Sequence, residues 1–211
     1  MKKSLIKWLC LSGILSTIFY LLHDVVGAMN YPGYDWMSSA VSDLTAVDSK
    51  SYITASSFVT LHKIFNCICC ISICTLIKNE KKSLKIGIYL FTIMHFISTI
   101  GYTLFPLTSA GYDGSIQSFM HVYVITITVV LLSIISLITI AIGSFKCKYK
   151  VLGTLAIIFL LLMFIGAVGS QNCPKSIFGI FERFSTYSAV LFTCILGIYV
   201  FKKDEDIKII K

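Results

Sequence analysis

Six apolar runs, roughly 5–26, 53–77, 84–105, 118–143, 151–169 and 180–201, alternate with short polar or basic stretches. Each run supplies the ~20 residues an α-helix needs to cross the hydrocarbon of a bilayer. A spanning segment must satisfy its own backbone groups, so helix is predicted for all six despite their β-branched residues. No internal repeat, low-complexity tract or soluble domain interrupts them. The predicted fold is all-α: a polytopic integral membrane bundle of six transmembrane helices, forming a single membrane domain over residues 1–211.

The polar residues inside the runs are not scattered. Ser12, Ser16, Tyr20 and Asp24 recur at four-residue steps, which places them on one helix face, with His23 beside them. His62 and Asn66 are one turn apart, next to Lys63; Thr92, His95, Thr99 and Tyr102 form a further stripe. Ser118 and His121 open the fourth run, and Glu182 and Arg183 open the sixth, followed by Ser185, Thr186 and Tyr187. The fifth run is almost wholly apolar and is expected to face lipid or to fill. A charge at the centre of a membrane helix costs about 2.5–3.5 kcal/mol on insertion scales. These residues should therefore face other helices or a wet cavity. They crowd toward one end of the bundle, so a polar cleft is expected there.

Lysine and arginine give the orientation. The stretches MKKSLIK, KNEKKSLK, SFKCKYK and KKDEDIKIIK hold fourteen of them, and the opposite side holds Lys50, Lys63, Lys175 and Arg183. By the positive-inside tendency both termini, including the tail 202–211, are expected to be cytoplasmic. Loop 27–52 is then external, and the cleft faces outward. A multi-pass protein of the cell membrane is expected. A cleaved signal peptide ending near Val26-Gly27-Ala28 is the alternative for the first run, but its length and His23-Asp24 favour a retained helix.

Composition agrees. The 211 residues are 56% hydrophobic and only 13% charged, about half the charge of an ordinary soluble domain. The net charge of +8 is dealt into short loops rather than one patch, which argues against nucleic acid as a partner. Most of the eight cysteines lie in apolar runs, where cysteine acts as a small hydrophobe, so neither a disulfide framework nor a metal cluster at CICCISIC is expected.

Loop 27–52 is aromatic, hydroxyl-rich and acidic. It is expected to act as a lid carrying Asp35, Ser38, Ser39, Ser42 and Asp43, with SSAVSDL as a short surface helix and Tyr31, Tyr34 and Trp36 at the membrane interface. Asp48 or Ser51 is expected to cap the second helix.

The SSAVSDL stretch, Phe105-Pro106, His121 and the GIFER stretch of Gly179 to Arg183 stand in an order that resembles the prokaryotic six-helix membrane-protein family catalogued as domain of unknown function 998. Thr45 stands where that pattern carries glycine. The resemblance implies architecture over nearly the whole chain and no particular reaction.

Three functions follow from these residues. The first is binding of a lipid headgroup or small polar ligand by Asp24, Ser39, Asp43, His62, His95, His121, Glu182 and Arg183, with membrane lipid as the expected partner. The second is a metal-dependent membrane-embedded hydrolase acting on lipid, with His62 and His121 as metal ligands. The chain carries no HExxH or glycine-elbow serine to support it. The third is a structural or regulatory membrane protein whose polar cluster locks helix ends. The sequence defines neither a cofactor nor an oligomeric state.

Overall fold

The computed structural model describes residues 3–209, with side chains described for residues 4–203. Eight α-helices make up six spans: α1 (Lys3–Leu9) with α2 (Ser12–Met29), α3 (Tyr52–Leu76), α4 (Lys82–Leu104), α5 (Ile116–Phe119) continuing through a π-turn into α6 (Thr126–Lys146), α7 (Lys150–Asn172) and α8 (Phe178–Ile209). No strand occurs among the described residues. All six spans are long and apolar enough to cross a membrane. Most run a few residues beyond the apolar runs, to Met29, Lys146 and Asn172 for example, while α4 stops at Leu104.

Each span packs on the next in sequence, and α8 returns to α2, so the bundle closes, with α3 also touching α8. Glycines set the tightest approach. A Cβ on Gly87 would meet the backbone of Ile140, and one on Gly143 the backbone of Leu84, so α4 and α6 touch main chain to main chain. Such small-residue contacts draw membrane helices together where burial of apolar surface cannot.

The bundle is greasy outside. On α2, Ile14, Ile18, Leu21 and Val25 are exposed, while Ser12, Ser16, Tyr20, His23 and Asp24 are buried. The polar stripe read from sequence is thus the inward face. On α7 the buried stripe is Leu152, Ala156, Phe159, Met163 and Gly166, so this helix both fills the core and faces outward.

The interior divides in two. Toward the lysine-rich end lies a large apolar core that includes Ile73, Ile88, Phe91, Leu137, Phe159, Phe192 and Leu196. Toward the opposite, lysine-poor end the apolar cluster shrinks to Tyr20, Val41, Leu44, Ala55 and Val190, and polar groups take over.

Candidate functional site

At the lysine-poor end Asp24 of α2 meets Arg183 of α8. Arg183 Nε donates to Asp24 Oδ2 at 2.8 Å, and Nη2 donates to Oδ1 at 2.7 Å. Both residues are nearly fully buried, Asp24 1% exposed and Arg183 2%. The rest of the guanidinium is also engaged. Nη2 donates to the Tyr34 hydroxyl at 2.6 Å, and Nη1 to the carbonyls of Trp36 (2.9 Å), Ser39 (3.1 Å) and Gly179 (3.0 Å). Asp24 Oδ2 also accepts from Trp36 Nε1 at 3.2 Å and from the Tyr187 hydroxyl. The Trp36 ring lies with its centroid 4.4 Å from the guanidinium carbon. A planar fork with five N–H groups suits this role; a lysine would not reach all these acceptors.

The loop is folded onto this pair. Gly179, one turn before Arg183 on α8, is where it touches: a Cβ there would collide with the carbonyls of Ser39 and Trp36. The Tyr34 hydroxyl itself donates to the Ala40 carbonyl at 2.8 Å. Burial pushes the Tyr34 phenol above its ordinary value, so it stays a donor. Glu182 Oε2 accepts from the Val41 amide at 3.1 Å. Asp43 Oδ2 accepts from the Ala40 amide at 3.0 Å, and Oδ1 from the Gly111 amide at 2.9 Å. The Val47 amide donates to the Leu107 carbonyl (2.9 Å) and the Asp48 amide to the Thr108 carbonyl (3.2 Å), so the loop is also joined to residues 105–115. Burial raises the Asp43 carboxyl above the usual carboxylate range, although the two amides pull it down. The exposed Asp35 is lowered instead, by the Ser38 hydroxyl at 2.5 Å and the Met37 amide at 3.1 Å.

Two local expectations are corrected here and one is extended. The SSAVSDL stretch holds a 3-10 helix only at Val41–Thr45, with Val41, Asp43 and Leu44 buried, so it is not a surface helix. Trp36 and Tyr34 wrap the ion pair, a contact their interface pattern does not foretell. Ser51 precedes α3 but makes no side-chain cap; its hydroxyl donates to the Leu44 carbonyl at 2.8 Å, tying the loop to itself.

The histidines are all buried, each in its own setting. His62 Nδ1 lies 2.9 Å from the Ser16 hydroxyl and 3.0 Å from the Ser16 carbonyl. His95 Nε2 lies 2.8 Å from the Thr193 hydroxyl. His121 Nδ1 donates to the Phe105 carbonyl at 2.7 Å, within the π-turn Met120–Ile125. Each of these bonds joins two spans, a use that membrane bundles make of polar side chains at roughly 0.6 kcal/mol apiece. His23 differs. Both its ring nitrogens are buried without a hydrogen-bond partner, as is Asn66 Oδ1. The Tyr20 ring stands between His23 and His62, edge-on to each, at 5.4 Å and 4.9 Å.

Of the residues singled out from sequence, Asp24, Ser39 and Arg183 meet directly, and Asp43 and Glu182 are brought to the same loop. His62, His95 and His121 are held by separate partners. Among the described residues no three His, Cys, Asp or Glu side chains converge as a metal-binding set. Tyr34, Trp36 and Gly179 complete this site, and no spacing or charge pattern points to either aromatic individually. For Gly179 the Gly-to-Arg spacing within GIFER is the available signal, since it puts a side-chain-free position directly under the arginine.

The family model described as "Protein of unknown function (DUF998)" matches residues 14–199. Neither the curated proteins nor the solved structures provide a match. The match runs from α2 to α8, through loop 27–52, Phe105-Pro106, His121 and GIFER. The chain therefore belongs to the DUF998 family, as a six-helix integral membrane protein whose function that membership leaves open.

Proposed function

We propose that this protein sits in the cell membrane with both termini cytoplasmic and binds a small polar ligand or lipid headgroup in its outer half, beneath loop 27–52. The observation that carries the reading is a pair of buried polar side chains that the fold leaves unanswered, His23 near the lysine-poor end of α2 and Asn66 deeper, at the level of Ser12. His23 and Asn66 are each 2% exposed and keep unpartnered polar atoms. An unsatisfied buried polar group costs about 1–3 kcal/mol, so a ligand that supplies the missing partners gains that energy on binding. Arg183 and Asp24 take a different part from the one expected of them. Their bonding capacity is used within the protein, so they hold the loop over the site instead of contacting the ligand.

The test is mass spectrometry of lipids and small molecules retained by detergent-purified protein, wild type beside His23→Phe and Asn66→Leu. The binding reading expects one species in stoichiometric amount with wild type, lost from both variants while their thermal unfolding stays cooperative. Wild type that retains nothing sinks it. In that case the second reading takes over, a structural or regulatory membrane protein. It is favoured by one specific observation, the complete saturation of the Arg183 guanidinium by protein acceptors.

A further inference from the structure

A cavity of about 130 Å³ opens at the lysine-rich end, among the ends of α3, α4, α7 and α8. Its wall is apolar, with Leu76, Leu84, Ile88, Leu152 and Leu196. Its rim is polar. The Tyr149 hydroxyl donates to Glu80 Oε2 at 3.0 Å. Lys203 Nζ pairs with Glu80 Oε1, lies 2.5 Å from the Tyr149 hydroxyl, and sits 4.0 Å from the centroid of that ring. Two of the three ammonium N–H groups are thereby engaged, and the third is left for a further acceptor.

Size, polarity and charge together define the occupant. Drug-sized solutes fill pockets of roughly 300–1,000 Å³, so this cavity is too small to enclose one. It suits part of a larger amphiphile whose remainder lies in the bilayer. The apolar wall with a polar rim matches the boundary between headgroup and chain. Glu80 and Lys203 offset each other's charge, so the net charge at the rim is set by the lysines around them and Lys203 offers a hydrogen-bond donor. Residues 78–85, 146–150 and 202–203 carry nine lysines against Glu80. Lys81 Nζ donates to the Lys146 carbonyl at 2.7 Å, which brings two of these basic segments together beside the cavity. Lys78, Lys148, Lys150 and Lys202 are exposed around it.

We propose that this cavity is a binding site for an anionic phospholipid, its phosphate on Lys203 and the adjoining exposed lysines, its first apolar groups in the cavity. The site is at the opposite end from the one under Proposed function and does not depend on it.

The experiment is native mass spectrometry of the full chain in neutral detergent, with added phosphatidylglycerol, phosphatidylcholine or inorganic phosphate. Wild type is expected to hold one phosphatidylglycerol at least about fivefold more tightly than phosphatidylcholine. Filling the cavity with Leu76→Trp should abolish that bound lipid. Lys148→Gln with Lys150→Gln should remove most of that preference for the anionic lipid, each lysine contributing up to about fivefold. These two side chains are exposed and leave packing untouched, so this pair decides the matter if Leu76→Trp fails to fold. Equal binding of both lipids, displacement by inorganic phosphate alone, or an unchanged preference in the lysine pair overturns the proposal.

Discussion

The two ends of this bundle are each closed by an ion pair, and the pairs are built differently. Asp24 and Arg183 keep 1% and 3% of their side-chain surface, whereas Glu80 and Lys203 keep 18% and 26%. Arginine reaches a carboxylate, a phenol and three carbonyls at the lysine-poor end. Lysine reaches a carboxylate and a phenol at the other. The first pair is an organising centre: a loop, two helices and four aromatic or backbone partners are arranged around one fork. The second pins the end of α8 to a rim that is still partly wet. The lesson is that pairing alone says little. Removing one member of a buried pair leaves an uncompensated charge, while an exposed pair falls back on water.

The largest expected effect comes from breaking the buried pair. Asp24→Asn keeps the shape but turns an amide toward the arginine, and should cost about 3–5 kcal/mol in unfolding titrations in detergent micelles. The double variant Asp24→Leu/Arg183→Met should recover a large part of that loss, because it leaves no buried charge behind. No recovery would mean that the hydrogen bonds to Tyr34 and loop 27–52, not the charge balance, carry the stability.

Next in size is the loop contact. Gly179→Ala leaves every charge in place but pushes a methyl against the Ser39 and Trp36 carbonyls. A cost of about 1–3 kcal/mol is expected, the range for overpacking. Hydrogen exchange should rise across residues 34–45 and stay unchanged around Glu80 and Lys203. Faster exchange at both ends would contradict the separation drawn between them.

Much of this architecture was readable in the sequence. Apolar run length gave six spans, and four-residue spacing gave the buried face of α2, because a membrane penalises polar groups so steeply that pattern and burial coincide. Other features were not readable. The pause at Cys10 and Leu11 between α1 and α2, and the π-turn at His121, lie inside apolar sequence with no proline or cap to mark them. The Asp24–Arg183 pair links residues 159 positions apart. Its location at one end could be inferred, but its geometry depends on loop 27–52 folding inward. Tyr34 and Trp36 looked like ordinary interface aromatics because composition cannot tell a ring that faces headgroups from one that covers a buried cation.

Asp43 offers a smaller, pH-dependent test. Its folded pKa lies above its unfolded value near ~3.9. Its protonated form is therefore favoured by folding: that contribution is full below the unfolded pKa and is lost as pH rises through the folded pKa. Asp43→Asn should flatten this part of a stability–pH profile. It should also loosen residues 110–111, which lose the carboxylate that accepts the Gly111 amide. A profile with unchanged slope would assign the dependence to another group.

The smallest effect is expected at the lysine-rich pair. In Glu80→Gln the carboxylate is lost, but Lys203 keeps the Tyr149 ring and hydroxyl, and both partners retain contact with solvent. A change of no more than about 1 kcal/mol follows, a shift of roughly 2–4 °C in thermal unfolding. Added salt should shrink it further, since screening acts on a pair that water reaches. Asp24→Asn should show no such salt dependence. A Glu80→Gln loss as large as that of Asp24→Asn, or one insensitive to salt, would mean that the rim at the lysine-rich end is dry, and that the two ends differ in the residues they use but not in how they hold the bundle together.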